Sequence, residues 1–449
     1  MTLITRFKHS LENKTGEWLG IILLIGLASA LFYAFYFKIQ PSVDARAYDS
    51  IAWDIAQGKG YDTDSAIGRP GPGYEYFLAG IFSIFGHRYP AIWIFQAILI
   101  AGSAYLTFQT TRRVFGQVWH PIIGLAAAAL VSWSPDLITS ASMLMTEVLT
   151  VFLTTATIWG FLKYLSTERR QGIVLTAVVL GLAVLTRSNT ILLILPLGGA
   201  LIYRREWKRG LLLVLVFMAV LAPWALRNYR VYGEPLPFNG AAGLLYVGNH
   251  SGSSGELDLH YDLPVGYGDF TTMTQFENDQ ALRRAGLDYI KSHPLDFIRL
   301  SLQRISVYFS FARPFAFWPH LVGNARKVSI GLSSFYAAVI FIGGGLGTLL
   351  GLLKGILPNR QHMAVLGAAI LSLPLAIAPL IVETRYRFPN YPLLAIGAGF
   401  MIHALFTHRD WLGKLAKQLW IGLVLIGGNT IYDVARNFGR IVIRLKNPS

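Results

Sequence analysis

Long apolar runs separated by short polar turns fill most of the chain. With about 15 to 25 apolar residues taken as one bilayer crossing, the pattern predicts spans near 17–38, 91–111, 119–133, 147–165, 172–186, 189–203, 210–226, 328–353, 363–382 and 390–406, with a weaker eleventh near 418–432. The basic turns Arg112-Arg113, Lys163 to Arg170, Arg204 to Arg209, Lys354 to Arg360 and Arg409 to Lys417 all fall on one side of this count, as the positive-inside rule asks of a cytoplasmic face. Residues 1–16 then form a cytoplasmic amino terminus. The apolar run after them exceeds a signal-peptide core and lacks a small-residue cleavage pattern, so it reads as a retained first span. Residues 17–406 form one transmembrane module with a first external loop at 39–90 and a long external segment at 227–326. Two shorter pieces, Ser134 to Glu147 and Glu383 to Asn390, lie on that same external side. In the segment 407–449 the rule fails, because the count places the basic tail VARNFGRIVIRLKNPS outside. Either the eleventh segment is interfacial or the tail tolerates the bias.

Two external stretches have the amphipathic pattern of helices lying on a membrane surface. From Asp44 onward Ala45, Tyr48, Ile51, Ala52 and Ile55 share one face, while Arg46, Asp49, Ser50 and Asp54 take the other. HPLDFIRLSLQRISVYF is long enough to span. Crossing would place Asp296, Arg299, Gln303 and Arg304 in hydrocarbon, at roughly 3 kcal/mol for each charge, so an interfacial helix is expected. No short-period repeat is visible.

Composition agrees with this pattern. The 449 residues are 53% hydrophobic and 14% charged, with a mean hydropathy of +0.47, which makes the chain an all-α integral membrane protein of about eleven helices. The net charge of +15 sits in short clusters between apolar runs, as lipid-facing anchors do, so nucleic acid is not a partner. Cysteine is absent, which removes disulfides, thiolate metal sites and cysteine nucleophiles. His250, Glu256, Asp258 and His260 are ligand types at close spacing but lack zinc-like regularity, so no cofactor is required and a divalent metal is left without support from the sequence. There is no Walker loop and no nucleophile elbow. Cytoplasmic turns this short leave no room for a nucleotide-binding domain.

The chemistry concentrates outside. Six of the 24 acidic residues fall between Pro41 and Gly86, around the turn Arg-Pro-Gly-Pro-Gly-Tyr at 69–74. Asp44 stands in the first turn of its helix, where a carboxylate is ordinarily a cap. Past the seventh predicted span comes APWALRNYRVYGEPLPFNGAAGLLYVGN, and between the ninth and tenth ETRYRFPNYPLLAIGAG. Arg385 and Arg387 there are i and i+2 in a proline-rich turn and can flank one pocket; guanidinium holds a phosphate bidentately. Each of these arginines also has an ordinary reading as an interfacial anchor.

These three stretches, D-x-x-x-Y with the R-P-x-P-G-Y turn, P-W-x-x-R-N to L-Y-x-G-N, and R-Y-x-x-P-x-x-P, resemble the C-type polytopic glycosyltransferases. The likeness is to the bacterial branch related to dolichyl-phosphate-mannose protein mannosyltransferases and the lipid A aminoarabinose transferase, and it extends from Asp44 to Pro392. It implies transfer of a sugar from a polyprenyl-phosphate donor to a lipid, glycan or protein acceptor on the external face of the inner membrane, with inversion at the anomeric carbon. Asp44 is then the base. Arg187, Arg385, Arg387 and Arg69 would meet the donor phosphate, and Tyr48, Tyr74, Glu147, Arg227, Asn228, Asn249 and Tyr386 would contact substrates. The second acidic residue that follows the aspartate in many relatives is Ala45 here, which counts against an acidic-pair metal site. A transporter or flippase of lipid-linked saccharides, or an external polymerase, is the alternative; the first would call for charges deep in the spans and repeated halves, neither of which is visible.

Overall fold

The computed structural model describes residues 10–61, 71–236, 243–257, 261–312, 320–353, 360–407, 413 and 416–446. Almost all of it is helix. The one pairing of extended backbone among these residues is an isolated parallel bridge between Glu256 and Val382.

The first eight helices are α1 (Thr15–Phe37), α2 (Asp44–Ala56), α3 (Gly73–Phe85), α4 (Tyr89–Phe115), α5 (Pro121–Ser132), α6 (Pro135–Ala141), α7 (Glu147–Thr167) and α8 (Arg170–Thr186). A 3₁₀ stretch (Ser188–Leu193) then leads into α9 (Ile194–Tyr203) and α10 (Trp207–Tyr232), followed by α11 (Leu244–Gly248), α12 (Gln275–Ser292) and α13 (Pro294–Phe309). After α14 (Gly323–Ala338), a π-helical turn leads into α15 (Gly344–Leu352); α16 (Arg360–Ile377), a 3₁₀ turn (Thr384–Asn390), α17 (Tyr391–Thr407) and α18 (Ala416–Lys446) complete the chain. Among the described residues, seven helical segments are long and apolar enough to cross a bilayer, or eight if the bent pair α5 and α6 is one span. The chain is a multi-pass membrane protein.

Three expectations change. The piece Ser134 to Glu147 is not a plain external turn, because α6 continues α5 across a bend of 47°. Pro135 cannot prolong the preceding helix and opens a new one at its first position, with the Ser134 hydroxyl accepting from the Leu137 amide at 3.4 Å. The segments expected at 172–186 and 189–203 are helical but too short to count as spans by themselves. The weak eleventh segment is part of a 31-residue helix. This α18 runs along the bundle: Gly422 lies against Leu346, the Asn429 amide donates to the Ser306 carbonyl at 2.9 Å, and the Thr430 hydroxyl accepts from the Phe311 amide at 3.4 Å.

Close helix contact in this bundle rests on small residues. A Cβ on Gly347 would stand 1.8 Å from the Gly397 carbonyl oxygen, and one on Gly397 would stand 2.3 Å from that of Gly344, so α15 and α17 touch backbone to backbone. Buried hydroxyls on the spans, among them Thr107, Thr150, Thr157 and Thr176, donate to carbonyls four residues back in their own helices and so need no partner across the interface.

Outside the spans, α13 is amphipathic as expected, with Asp296 and Arg299 forming an exposed pair at 3.1 Å. Arg304 breaks the pattern: it is fully buried. Its guanidinium donates to the carbonyls of Ala378 at 2.7 Å, Gly255 at 3.3 Å and Gly248, and to the Asn249 side-chain oxygen at 3.0 Å. Burial among carbonyls, with no carboxylate paired to it, pushes its pKa down to about 10, so it remains a cation at neutral pH. One side chain thus ties α13, the loop after α11 and the turn after α16 together.

Two stability measurements check these contacts. Gly347→Leu has no room to be accommodated and should cost about 3 kcal/mol or more in thermal unfolding of the detergent-solubilised protein; an unchanged Tm would show that α15 and α17 are not packed this closely. Arg304→Met leaves four acceptors without donors and should cost about 3 kcal/mol, with Arg304→Lys between it and the parent. Equal stability of the methionine variant and the parent would remove the clasp.

Candidate functional site

Four separated parts of the sequence meet at one point: the start of α2, the start of α7, the end of α8, and the 3₁₀ turn before α17. The turn presents Arg385, whose side chain is 16% exposed. Its Nη2 donates to Asp44 Oδ2 at 3.1 Å, its Nε donates to a Glu383 carboxylate oxygen, and Glu147 Oε1 stands 3.6 Å from the same Nε. Glu147 Oε1 also accepts from Arg187 Nη1 at 2.8 Å, and Arg187 donates to the Thr146 hydroxyl at 3.0 Å. The Arg187 guanidinium lies 4.3 Å from the centre of the Tyr386 ring. Three carboxylates and two guanidiniums therefore form one continuous network.

Local sequence explains how each member arrives. α2 begins at Asp44, but Asp44 is not its cap: the N-cap position is Val43, which makes no side-chain cap bond, and the Ala45 amide is satisfied by the Ser42 carbonyl at 3.0 Å. The Asp44 carboxylate is directed to Arg385. Glu147 begins α7, where the helix dipole favours a carboxylate, yet it is 1% exposed and is neutralised by arginine rather than by water. Arg187 ends α8 in extended conformation, which carries its side chain off the helix axis toward α7.

The glycines of the Pro-Gly-Pro-Gly turn have a steric reason. A Cβ on Gly71 would stand 2.1 Å from the Leu185 carbonyl oxygen, and one on Gly73 would stand 2.6 Å from the Thr186 hydroxyl. The turn therefore lies directly on the end of α8, one residue from Arg187. α3 then buries Tyr74, whose hydroxyl donates to Gln96 at 3.0 Å, and the Tyr48 ring meets the Tyr74 ring edge-on at 5.4 Å. Burial first, and the Glu75 and Asp44 carboxylates next, raise the pKa of the Tyr48 phenol far above its ordinary value. Burial with the neighbouring Glu147 does the same for Tyr74. Both phenols stay neutral and serve as the floor beneath the charged cluster.

Beside the cluster lies an apolar cavity of about 600 Å³ lined by α3, α7, α8 and α10. Leu149, Leu153, Leu185 and Val220 are among its walls; Thr186, the residue before Arg187, and Arg227 are among its few polar ones. Arg227 lies among aromatic rings, 4.9 Å from Trp224, 5.4 Å from Tyr232 and 5.5 Å from Tyr61. It donates to the Tyr232 hydroxyl at 3.3 Å, the Tyr61 carbonyl at 3.4 Å and the Asn228 side-chain oxygen at 3.0 Å.

The other expected residues are not drawn into the cluster. Arg387, two residues from Arg385, points the opposite way and is fully buried. It donates to the Ser310 carbonyl at 2.6 Å and to the Tyr391 hydroxyl at 3.1 Å, and Tyr391 in turn donates to Asp136 at 2.7 Å. The two arginines do not flank one pocket, because consecutive odd positions of a 3₁₀ turn do not share a face as they would in a strand. Asn228 and Asn249 are enclosed: the first donates to the Leu236 carbonyl at 2.8 Å, the second to those of Leu245 and Pro379, each at 2.8 Å. Arg69, Asp258 and His260 lie outside the described residues. Among the described ones, no group of three or more His, Asp or Glu side chains could hold a metal ion. Sequence reasoning missed Glu383, which begins the quoted ETRYRF stretch and stands two residues before Arg385.

Comparison with known proteins follows the same lines. A family described as dolichyl-phosphate-mannose-protein mannosyltransferase matches residues 69–226. No curated protein sequence matches the chain. Among solved structures, the archaeal oligosaccharyltransferase AglB from Archaeoglobus fulgidus, determined with an inhibitory peptide and a dolichol-phosphate, is 15% identical with a TM-score of 0.51 over 93% of this chain. ArnT from Cupriavidus metallidurans in the apo state is 12% identical with a TM-score of 0.51 over 92% of this chain. The chain spans 56% of the length of AglB and 63% of that of ArnT. At these identities the structural likeness is one of fold, and with the family match it relates the chain to the C-type polytopic glycosyltransferases, the group its motifs resemble.

Proposed function

We propose that this protein transfers a sugar from a polyprenyl-phosphate donor to an acceptor hydroxyl or amine at the external end of its bundle. The observation that carries the reading is the meeting of Asp44 with Arg385, Arg187 and Glu147 beside an apolar cavity: a base, cations for a phosphate, and room for a lipid chain. The isoprenoid would occupy the cavity between α3, α7, α8 and α10, with its phosphate at the polar end toward Arg227, Arg187 and Arg385. In the transfer, the acceptor group gives its proton to the Asp44 carboxylate while its heteroatom bonds to the anomeric carbon. The bond from that carbon to the phosphate oxygen breaks, and its electron pair stays on the phosphate, where guanidinium stabilises the charge that develops. Attack opposite the leaving phosphate inverts the anomeric centre. Every group in this scheme belongs to the chain or its two substrates, and no metal enters it.

A transfer assay with a labelled polyprenyl-phosphate sugar tests the reading. Asp44→Asn should lower turnover by at least about a hundredfold while the Tm stays close to that of the parent, and Arg385→Lys should raise the donor KM about tenfold, or roughly 1.4 kcal/mol. Full activity of Asp44→Asn would end its role as base. Movement of the intact labelled lipid across a vesicle membrane, without sugar transfer, would favour the flippase alternative.

Orientation is tested separately. The chain has no cysteine of its own, so single replacements can be labelled in intact cells with an impermeant maleimide. Cysteine at Lys59 or Val265, where the Lys59 side chain is 62% and Val265 is 97% exposed, should react from outside. Cysteine at Tyr203, 82% exposed at the opposite end of α9 from its 3₁₀ start, should react only after permeabilisation. The reverse pattern would place the site in the cytoplasm.

A further inference from the structure

The proposed base and one of the proposed phosphate cations are bound to each other. Asp44 Oδ2 accepts from Arg385 Nη2 at 3.1 Å, so this carboxylate oxygen is turned to the guanidinium and not toward an acceptor group. We propose that this pair holds the two residues in a self-quenched arrangement, and that a lipid-linked phosphate must displace Asp44 from Arg385 before Asp44 can act on an acceptor. The inference rests on the transferase reading and adds an order to it: donor first, acceptor second.

Three observations say that Asp44 is the arm that lets go. Arg385 has three carboxylate neighbours, and their burial differs: the side chain of Glu147 is 1% exposed and that of Glu383 18%, whereas that of Asp44 is 45% exposed. Releasing Glu147 would leave a buried charge facing Arg187 alone, but water already reaches Asp44 and can take over its solvation. Second, the released carboxylate has somewhere favourable to be. Asp44 occupies the first position of α2, whose opening backbone amides and dipole attract an anion. Third, the backbone just before it is strained. Val43 has φ +46° and ψ −114° and is 83% exposed; a β-branched residue in that region is costly and marks a point where the entry to α2 can change conformation.

A phosphate is the natural competitor for the vacated position. It offers two oxygens to one guanidinium face and more charge than a carboxylate, so exchanging Asp44 for phosphate keeps Arg385 neutralised throughout. As the sugar departs the phosphate gains charge, and Arg385 is then held more firmly away from Asp44. Product lipid must leave before the pair can re-form.

The test measures binding rather than turnover. Parent protein, Asp44→Asn and Asp49→Asn are reconstituted in nanodiscs, and their affinity for a short-chain polyprenyl phosphate carrying no sugar is measured. Asp49 lies on the same helix but is held by His87 at 2.8 Å and Tyr89 at 2.9 Å, so its replacement removes one nearby negative charge without touching Arg385. If the phosphate must break the pair, Asp44→Asn should bind about tenfold more tightly than the parent, with Asp49→Asn unchanged. Equal affinity of Asp44→Asn and the parent would show that no pair has to be broken. An equal gain in both variants would show general charge attraction and would also overturn the switch. Failure of the parent and both variants to bind polyprenyl phosphate would remove the donor reading together with this one. In each case retention of the parent's thermal transition shows that the protein tested is folded. A second, independent measurement is Val43→Gly, which relieves the strain without altering charge; it should shift the phosphate affinity by less than the Asp44 variant does.

Discussion

The structure depends on how an arginine is neutralised at one end of a membrane bundle. A guanidinium that is 16% exposed cannot stand alone there. Arg385 gathers carboxylates from two distant parts of the chain, Asp44 and Glu147, and one from its own turn, Glu383, and this requirement fixes where the first loop and the start of α7 must lie against the turn before α17. Arg187 enters the same network through Glu147. One carboxylate therefore sets the spacing between the two cations, and a substrate phosphate would meet a pair whose separation is already decided by the protein.

Placing such a network precisely enough for chemistry needs a rigid support, and the 3₁₀ turn supplies it by facing two ways. Arg385 and Tyr386 look toward the cluster, while Arg387 and Asn390 are buried behind it. Asn390 donates to the Tyr308 hydroxyl and to the Ile370 carbonyl, each at 2.9 Å, and Arg387 is tied through Tyr391 to Asp136 on the broken helix pair. Ser333 donates to the same aspartate. The buried side of the turn is thus hydrogen-bonded to α13, α16 and α17, and through Tyr391 and Asp136 it is linked to α6 and α14. Movement at the site is left to the other partner, Asp44, at the start of a helix whose preceding residue is strained.

The sequence was legible wherever chemistry is local. Hydropathy located the long apolar helices, because a segment in lipid has no other way to satisfy its backbone; α3, α6, α11, α12 and the full length of α18 escaped it, since short helices between the spans and a helix with a polar stripe carry no long apolar run. Periodicity found α2 because its buried face, Ala45, Tyr48, Ile51 and Ala52, is apolar along its whole length. Asp44, Arg187 and Arg385 were found through their motifs. What no spacing could reveal was which arginines would come together. Arg385 and Arg387 are equivalent by residue type and position, and only the packing of the turn sends one to the cluster and the other to the core. Arg304 was misjudged for the same reason: a charge on an amphipathic helix was assigned to water, but three loop carbonyls and an asparagine enclose it. The motif asparagines Asn228 and Asn249 are held by tertiary structure too, each binding backbone carbonyls.

The surroundings of Arg227 and Arg385 suit them to different tasks. Arg227 has no carboxylate partner among the described residues and is held by aromatic faces, a carbonyl and two neutral side chains. Its charge is uncompensated and it lines the apolar cavity, so it suits an anion that arrives already charged and stays charged, such as the phosphate of a lipid whose chain fills that cavity. Arg385 is compensated before anything binds. A cation of that kind adds little to the first encounter, because what it gives to the ligand it takes from its own carboxylates. In the proposed transfer its advantage would appear only when charge increases on the leaving phosphate, which would compete with the most exposed of the three carboxylates. That carboxylate is Asp44, the one whose release the proposed order of binding calls for.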